Sequence, residues 1–144
     1  MSTVLTNSNI IAQRFGPILG RMLFAALFIP AGVHKIMAFS TTLGYMTSKG
    51  LPMADVLLVL TIIIELGGGI MLLLGWHARL AALTIALFLI PVTVIFHGYW
   101  NIEDAQQMMT QQHMFMKNMA IIGGLLCMTG LGSGKFSLKA SKFK

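Results

Sequence analysis

The residues that could do chemistry in this chain are a few polar side chains inside long apolar stretches. Glu65 lies in the run TIIIELGGGIMLLLG, where it is the only charged residue. A carboxylate at bilayer depth is costly unless it is paired or faces a wet cavity. Gly68 and Gly69 follow three and four positions later, on the same helix face, where small residues let another helix approach closely. We therefore expect Glu65 to point into a helix bundle.

Arg21 is the predicted ion-pair partner of Glu65. At a rise of 1.5 Å per residue, Arg21 lies roughly 9 Å inside the first apolar segment and Glu65 roughly 15 Å inside the second. A long guanidinium side chain can span that difference, and buried charges are normally paired. The sequence thus predicts an Arg21–Glu65 ion pair in the core.

A second polar group lies towards the opposite ends of the segments. It comprises Lys35 in the first segment, His97 at the end of the third, and Lys117 and Asn118 in the fourth. Such side chains hydrogen-bond quinone carbonyls, and cations stabilise the negative charge that reduction adds. We expect these four residues, with Glu65, to line a site for a quinone or a small anion. The alternatives are snorkelling of Lys35 to the surface and, for each histidine, an interfacial position at a helix end.

Metal sites and catalytic motifs are not indicated. His34, His97 and His113 are the candidate haem ligands, but nothing in their spacing is diagnostic. The methionine-rich run 108–116 would suit Cu(I), yet methionine is also a common packing residue, and core packing is the preferred interpretation. The single cysteine, Cys127, excludes an internal disulfide and is predicted to be a small core residue. The sequence has no nucleotide-binding loop, nucleophilic serine motif or paired catalytic carboxylates.

The composition predicts an integral membrane protein. Of 144 residues, 56% are hydrophobic and 10% are charged, whereas soluble domains carry about 25% charged residues. Apolar segments at roughly 15–37, 53–74, 80–97 and 113–130 are close to the ~20 residues needed to cross a bilayer. Backbone groups in lipid must be satisfied internally, so the segments should be helices. We predict an all-α, four-helix membrane bundle, a single domain over residues 1–144, surrounded by membrane lipids.

Basic residues predict the orientation. With four spans, Arg14, Arg79 and the basic tail fall on one side of the membrane, opposite Lys49, Glu103 and Asp104. The positive-inside rule then places both termini in the cytoplasm, with outer loops at 38–52 and 98–112. The tail lysines are typical of an anchor at anionic lipid and do not indicate nucleic-acid binding.

Four stretches carry a resemblance to a known family. RMLFAALFIPAGVHKI, IELGGGIMLLLGWHARLAAL, FHGYW and FMKNMAIIGGLL, in that order, resemble the DoxX family of small bacterial four-helix membrane proteins. The resemblance covers residues 14–134 and implies a bacterial cytoplasmic (inner) membrane location. The recurring polar positions of the family map onto Arg21, Lys35, Glu65, His97, Lys117 and Asn118. The histidines at 34 and 113 and the methionine run lie outside that pattern.

The resemblance also implies a redox association. The family is named after a subunit associated with a terminal quinol oxidase, and its relatives include a thiosulfate:quinone oxidoreductase component. The leading expectation is a redox-associated inner-membrane protein with an intramembrane site for a quinone or a small anion. Whether it is itself a quinone-linked oxidoreductase or a subunit of one, with a quinone cofactor and a membrane redox partner, stays open. Two alternatives stay open. One is a non-enzymatic subunit or assembly partner of a redox or stress complex, and the other is a small-molecule permeation unit, which would need a homo-oligomer.

Overall fold

The computed structural model describes residues 2–134 and 137–138, and only the backbone of residues 2–14. In this part of the chain the elements are helical: α1 (Ser2–Met37), α2 (Phe39–Ser48), α3 (Ala54–Ile62), a π-helical turn (Ile63–Gly67), α4 (Gly68–Leu74), α5 (Ala78–His97) and α6 (Ala105–Leu131). Four stretches are long and apolar enough to cross a membrane: Phe15–Met37, Ala54–Leu74, Ala78–His97 and Ala105–Leu131. The predicted all-α architecture with four spans is confirmed.

The two ends of the bundle differ. The turn at residues 75–77 and the described residues after α6, 132–134 and 137–138, form one end, here called the terminal end. There the Leu138 N–H donates to the carbonyl of Leu74 at 3.2 Å. Helix α2 and the loop at 98–104 form the opposite end, here called the loop end. The chain therefore enters and leaves the bundle at the terminal end.

The second span is not one regular α-helix. A π-helical turn, Ile63–Gly67, separates α3 from α4 and has Glu65 at its centre. Isolated π turns inside α-helices are rare and occur frequently at functional sites. The wider turn also rotates the side chains of α4 about the helix axis relative to those of α3. A regular period of about 3.6 residues per turn does not predict this rotation.

The predicted outer loop at 38–52 is largely a helix, α2, and that part of the prediction is wrong. Phe39, Leu43 and Met46 follow an i, i+4, i+7 spacing, which produces one apolar face. That face packs with Ala54 and Leu58 of α3. Helix α2 thus lies half-buried across the loop end and does not project from it.

The core lies towards the terminal end. Phe28, Leu72, Ile85 and Leu125 belong to one buried cluster that joins α1, α4, α5 and α6. Three of them, Leu72, Ile85 and Leu125, are 0% exposed. The terminal half of the bundle therefore contains a large apolar cluster, and the Arg21 side chain, 3% exposed, is buried at the same end.

The fourth span begins at Ala105, well before residue 113. The Asp104 carboxylate caps it by accepting a hydrogen bond from the Gln107 N–H at 2.7 Å. Such caps satisfy backbone donors that would otherwise lack a partner. A 27-residue helix is about 40 Å long, so its first turns extend beyond the ~30 Å hydrocarbon core.

Two expectations about the surface of α6 are wrong. Cys127 is exposed and is not a core residue. Met109 and Met116, from the methionine-rich run, are 50% and 58% exposed, so they face the surroundings of the bundle and do not pack within it. Apolar side chains on the outside of a membrane helix contact lipid, which makes a hydrophobic residue a poor indicator of the core.

Candidate functional site

Glu65 points into the bundle and pairs with Lys35. Its Oε2 accepts a hydrogen bond from Lys35 Nζ at 2.7 Å, and the Glu65 and Lys35 side chains are 9% and 25% exposed. The pair joins the last turn of α1 to the π turn. Burial of Glu65, predicted from its sequence context, is therefore observed.

Glycines bring α1 close enough for this pair to form. A Cβ added at Gly32 would lie 2.9 Å from Leu66 Cβ and 3.0 Å from Leu66 N. A Cβ added at Gly69 would lie 2.9 Å from Ile29 Cγ1 and 3.2 Å from Ile29 N. Contacts this tight leave no room for a side chain, so Gly32 and Gly69 set the separation of the two helices. Lys35 follows Gly32 by about one helical turn and hence reaches Glu65.

The predicted Arg21–Glu65 pair is replaced by this Lys35–Glu65 pair. The Arg21 guanidinium lies beside Gly75, where an added Cβ would overlap Nη1. Gly75 follows Glu65 by ten residues, which corresponds to about 15 Å along a helix, so Arg21 lies too close to the terminal end to reach the carboxylate. The sequence estimate counted depth from Phe15, but α1 extends far beyond that residue.

A cavity of about 240 Å³ lies against the Lys35–Glu65 pair. Helix α2, α3 with its π turn, and α5 provide the rest of its wall. Beside Lys35 and Glu65, the polar lining consists of Thr42, Thr61 and His97, and the aromatic and apolar lining consists of Tyr45, Met46, Phe88, Val92 and Phe96. The arrangement is a small apolar chamber with one ion pair and a few oxygen and nitrogen atoms at its wall.

Three of the five predicted site residues meet at this cavity. Lys35, Glu65 and His97 line it, whereas Lys117 and Asn118 do not. Lys117 is exposed on α6, and its Nζ lies 3.2 Å from Met114 Sδ. Asn118 is 7% exposed and buried elsewhere in the bundle. His34 and His113 are exposed as well.

The contribution of α2 to the site was not predicted from the sequence. Thr42 and Tyr45 line the cavity from a segment that was predicted to be a loop. The apolar spacing of α2 was the available signal, because a helix with one buried face must lie against the bundle. The apolar cavity residues of α5 carried no comparable signal, since Phe88 and Val92 resemble the apolar residues that face lipid.

The threonines of the cavity offer hydrogen-bond acceptors. Thr42 Oγ1 donates to the carbonyl of Ala38 at 2.8 Å, and Thr61 Oγ1 donates to that of Leu57 at 2.8 Å. With its proton used in this way, each hydroxyl presents only lone pairs to a ligand. Lys35 supplies the opposite function, since an ammonium has three N–H donors and Glu65 takes one of them.

His97 is held by a side chain of α6. Its Nδ1 lies 2.9 Å from Gln111 Oε1. With the amide oxygen as acceptor, Nδ1 carries the proton, and the neutral ring keeps Nε2 as an acceptor. Gln111 also lines a second cavity, of about 390 Å³, at the loop end.

Comparison with known proteins agrees with this architecture. The DoxX family profile matches residues 16–98. Inner membrane protein YqjF of Escherichia coli is 36% identical over 123 residues, covering 85% of this chain and 88% of that protein. Inner membrane protein YphA of the same organism is 29% identical over 121 residues, covering 84% and 86%.

A eukaryotic relative shares part of the chain. The ER-derived vesicles protein ERV29 of Saccharomyces cerevisiae is 27% identical over 82 residues, which cover 57% of this chain and 26% of that protein. No solved structure matches the chain significantly. Residues 16–98, which the DoxX family profile matches, include Lys35, Glu65 and His97. This match and the similarity to YqjF establish that the chain belongs to the DoxX family.

Proposed function

We propose that this DoxX-family membrane protein binds the head group of a quinone in the cavity beside Lys35 and Glu65. The observation that supports the proposal best is the ion pair itself, at the wall of a small chamber with aromatic lining inside a membrane bundle. Intramembrane ionisable residues are expensive and commonly mark functional sites. A lipid-soluble ligand also suits a site between membrane helices.

Charge balance favours a neutral ligand over a small anion. Lys35 and Glu65 neutralise each other at 2.7 Å, and the remaining cavity side chains include no other Lys, Arg, Asp or Glu. An anion would have to compete with the Glu65 carboxylate for the Lys35 ammonium. A quinone carbonyl only needs one of the two remaining N–H donors of Lys35.

The distribution of donors and acceptors suits the reduced form in particular. Glu65, Thr42 and Thr61 present oxygen lone pairs, whereas Lys35 is the main donor. A quinol offers two hydroxyl groups that donate to such acceptors, and a quinone offers only acceptors. We therefore expect the quinol to bind more tightly than the quinone.

The cavity size is consistent with a head group. Its volume of about 240 Å³ lies below the roughly 300–1,000 Å³ of pockets that hold drug-sized molecules. One substituted ring fits such a space, with its tail directed towards lipid. With one cysteine in the chain, an internal dithiol cannot exchange electrons with the ring, so turnover would require a further cofactor or a membrane redox partner.

Ligand-dependent stabilisation tests the proposal. The purified protein would be titrated with a short-chain ubiquinol and ubiquinone while its Tm is followed, and lipid extracts of the preparation would be analysed for quinones. A ligand at 100 times its Kd raises the free energy of unfolding by about 2.7 kcal/mol. We expect a rise in Tm that Lys35→Met abolishes and that the matched variant Lys117→Met retains. No co-purified quinone, together with no shift from either form, would contradict the proposal.

A non-enzymatic structural or assembly role is the second candidate. It is favoured by the position of the ion pair, which joins α1 to the π turn near Gly32 and Gly69, where the two helices approach closely. Here the pair would only fix helix register, and the protein would act through a partner subunit. This role predicts no quinol-dependent stabilisation of the wild-type protein. A Lys35→Met/Glu65→Gln variant that loses stability but keeps cellular function wherever it still folds would support it.

A permeation unit is less consistent with the bundle. Leu72, Ile85 and Leu125 fill its terminal half without exposure, so a route through one chain would have to displace the core. A homo-oligomer would be needed to form a pathway between chains. Size measurement in mild detergent separates this case from a monomeric binding protein.

A further inference from the structure

We infer that the Lys35–Glu65 cavity communicates with water at the loop end through the second cavity, across a partition formed by Phe96 and the His97–Gln111 hydrogen bond. The inference deepens the proposed function, because it concerns access to the same site. It predicts that small hydrophilic solutes reach the ion pair from one side of the membrane only.

The second cavity lies at the loop end and combines several polar side chains with the apolar side chains of Phe96 and Ile102. It measures about 390 Å³, and its lining includes Lys49 and the side chains of Gln106, Gln107 and Thr110 near the start of α6. These α6 residues precede the part of the helix that must lie in hydrocarbon, as its ~40 Å length exceeds the ~30 Å core. A groove lined by amides, a hydroxyl and an ammonium at this level is a place for water and small polar solutes.

The two cavities share a wall. Phe96 lines both of them. Gln111 lines the outer cavity, His97 lines the inner one, and the two side chains are joined at 2.9 Å. One aromatic ring and one hydrogen bond between two side chains are thus common to both chambers. Side-chain rotation at these positions would connect the chambers without moving a helix.

Close packing of side chains blocks access to the inner cavity from the terminal end. Between the inner cavity and the terminal end lie the fully buried side chains of Leu72, Ile85 and Leu125. Core side chains pack at crystal-like density, so a solute has no comparable route there. Access to Glu65 is therefore one-sided, by way of the loop end.

Thiol labelling tests this access directly. Cys127 would first be replaced by alanine, and Thr61→Cys would then place a thiol in the inner cavity. Thr42→Cys gives a second position should the first variant fold poorly, and Thr110→Cys reports the outer cavity. The probe is a charged, membrane-impermeant methanethiosulfonate, added to right-side-out or inverted vesicles. The wild-type protein, which keeps Cys127 on the exposed outside of α6, serves in parallel as the control for a thiol facing lipid.

We expect the inner thiol to react from the loop end alone, more slowly than the outer thiol. Gln111→Ala should raise its rate roughly fivefold, the change in open population that loss of one ordinary hydrogen bond produces. The matched change Gln112→Ala, at an exposed residue outside both cavities, should leave the rate unchanged.

Three results would overturn the inference. The inner thiols could stay unreactive in folded protein while Thr110→Cys reacts, they could react equally from the terminal end, or Gln111→Ala could leave the rate unaltered. None of these readings uses a quinone. Failure of access and failure of quinone binding are therefore distinguishable, since each experiment can succeed without the other.

Discussion

Lys35 and Glu65 form a pair whose members differ in their access to the surroundings. The Glu65 side chain is 9% exposed on the π turn, whereas that of Lys35 is 25% exposed near the end of α1. A lysine that loses its partner can extend towards the membrane surface. A glutamate in the bundle has no such freedom, so the two truncations should differ in cost.

We predict that Lys35→Met destabilises the protein more than Glu65→Gln. Removing one partner of a buried pair costs about 3–5 kcal/mol, and Lys35→Met should approach the lower value because it leaves the carboxylate alone in the cavity. Glu65→Gln should cost about 1 kcal/mol, since the amide oxygen still accepts a hydrogen bond from Lys35. Denaturant unfolding in detergent measures both.

The double variant serves as the internal check on this pair. Lys35→Met/Glu65→Gln leaves no uncompensated charge, so its loss of stability should be smaller than that of Lys35→Met alone. If instead the two single losses add, the side chains are not coupled and the pair does not stabilise the bundle.

Helix α1 and the π turn are the elements that create the site, and their contact depends on glycine. We predict that Gly32→Ala destabilises the protein and weakens quinol-dependent stabilisation, because the new methyl would lie 3.0 Å from Leu66 N, a backbone atom that cannot move alone. Gly123→Ala on α6 is the matched control, since nothing lies within 4 Å of its added Cβ. The free energy of unfolding of that control should rise by up to about 1 kcal/mol, because alanine favours the helix more than glycine does. Equal effects of Gly32→Ala and Gly123→Ala on stability would show that the contact between Gly32 and Leu66 has room for a methyl group.

The turn between α4 and α5 depends on glycine for a different reason. Gly75 has φ +69°, and an added Cβ would overlap the Arg21 guanidinium. Gly50 has φ +74° but nothing within 4 Å of its added Cβ. We predict that Gly50→Ala costs about 1 kcal/mol for its left-handed backbone alone and that Gly75→Ala costs clearly more. The added Cβ at Gly75 would also lie 2.6 Å from Ser137 Cβ, so Arg21→Ala should relieve part of the loss, and no relief at all would argue against the Arg21 contact.

The membrane spans were predictable from the sequence because the length of an apolar segment determines whether it crosses the bilayer. Features that depend on local backbone geometry were less predictable. Four apolar segments predict four spans because lipid permits little else. The π turn has no periodicity signal, and it sets the register on which Glu65 depends. The depth of Arg21 was misjudged because it was counted from Phe15, the start of the apolar segment. Helix α1 begins well before Phe15, and Arg21, not Phe15, lies at the level of Gly75.

The site was predictable only in part for a related reason. Lys35, Glu65 and His97 could be found as polar residues in apolar surroundings, and the structure brings them together. Lys117 carries the same signal yet faces outward, because sequence alone gives its depth and not its angle around α6. The aromatic wall of the cavity, including Phe88, is chemically indistinguishable from the lipid-facing surface.

At the scale of the whole molecule, the asymmetry between the two ends predicts an orientation. Arg79 lies at the terminal end, whereas Lys49, Glu103 and Asp104 belong to the loop end. In the sequence, four lysines occur among the last ten residues. Short basic segments remain on the cytoplasmic side during insertion. The loop end, with the outer cavity, would then face the side of the membrane opposite the cytoplasm.

We predict that both termini are cytoplasmic. A green fluorescent protein fused to Lys144 should fluoresce, and an alkaline phosphatase at the same position should be inactive, because each reporter folds on one side only. Phosphatase inserted between Asn101 and Ile102 should be active and gives the matched opposite signal. Replacing the tail lysines with glutamines should weaken the bias only modestly while Arg14 and Arg79 remain. An active terminal phosphatase would reverse the orientation and place the entrance to the Lys35–Glu65 cavity on the cytoplasmic side.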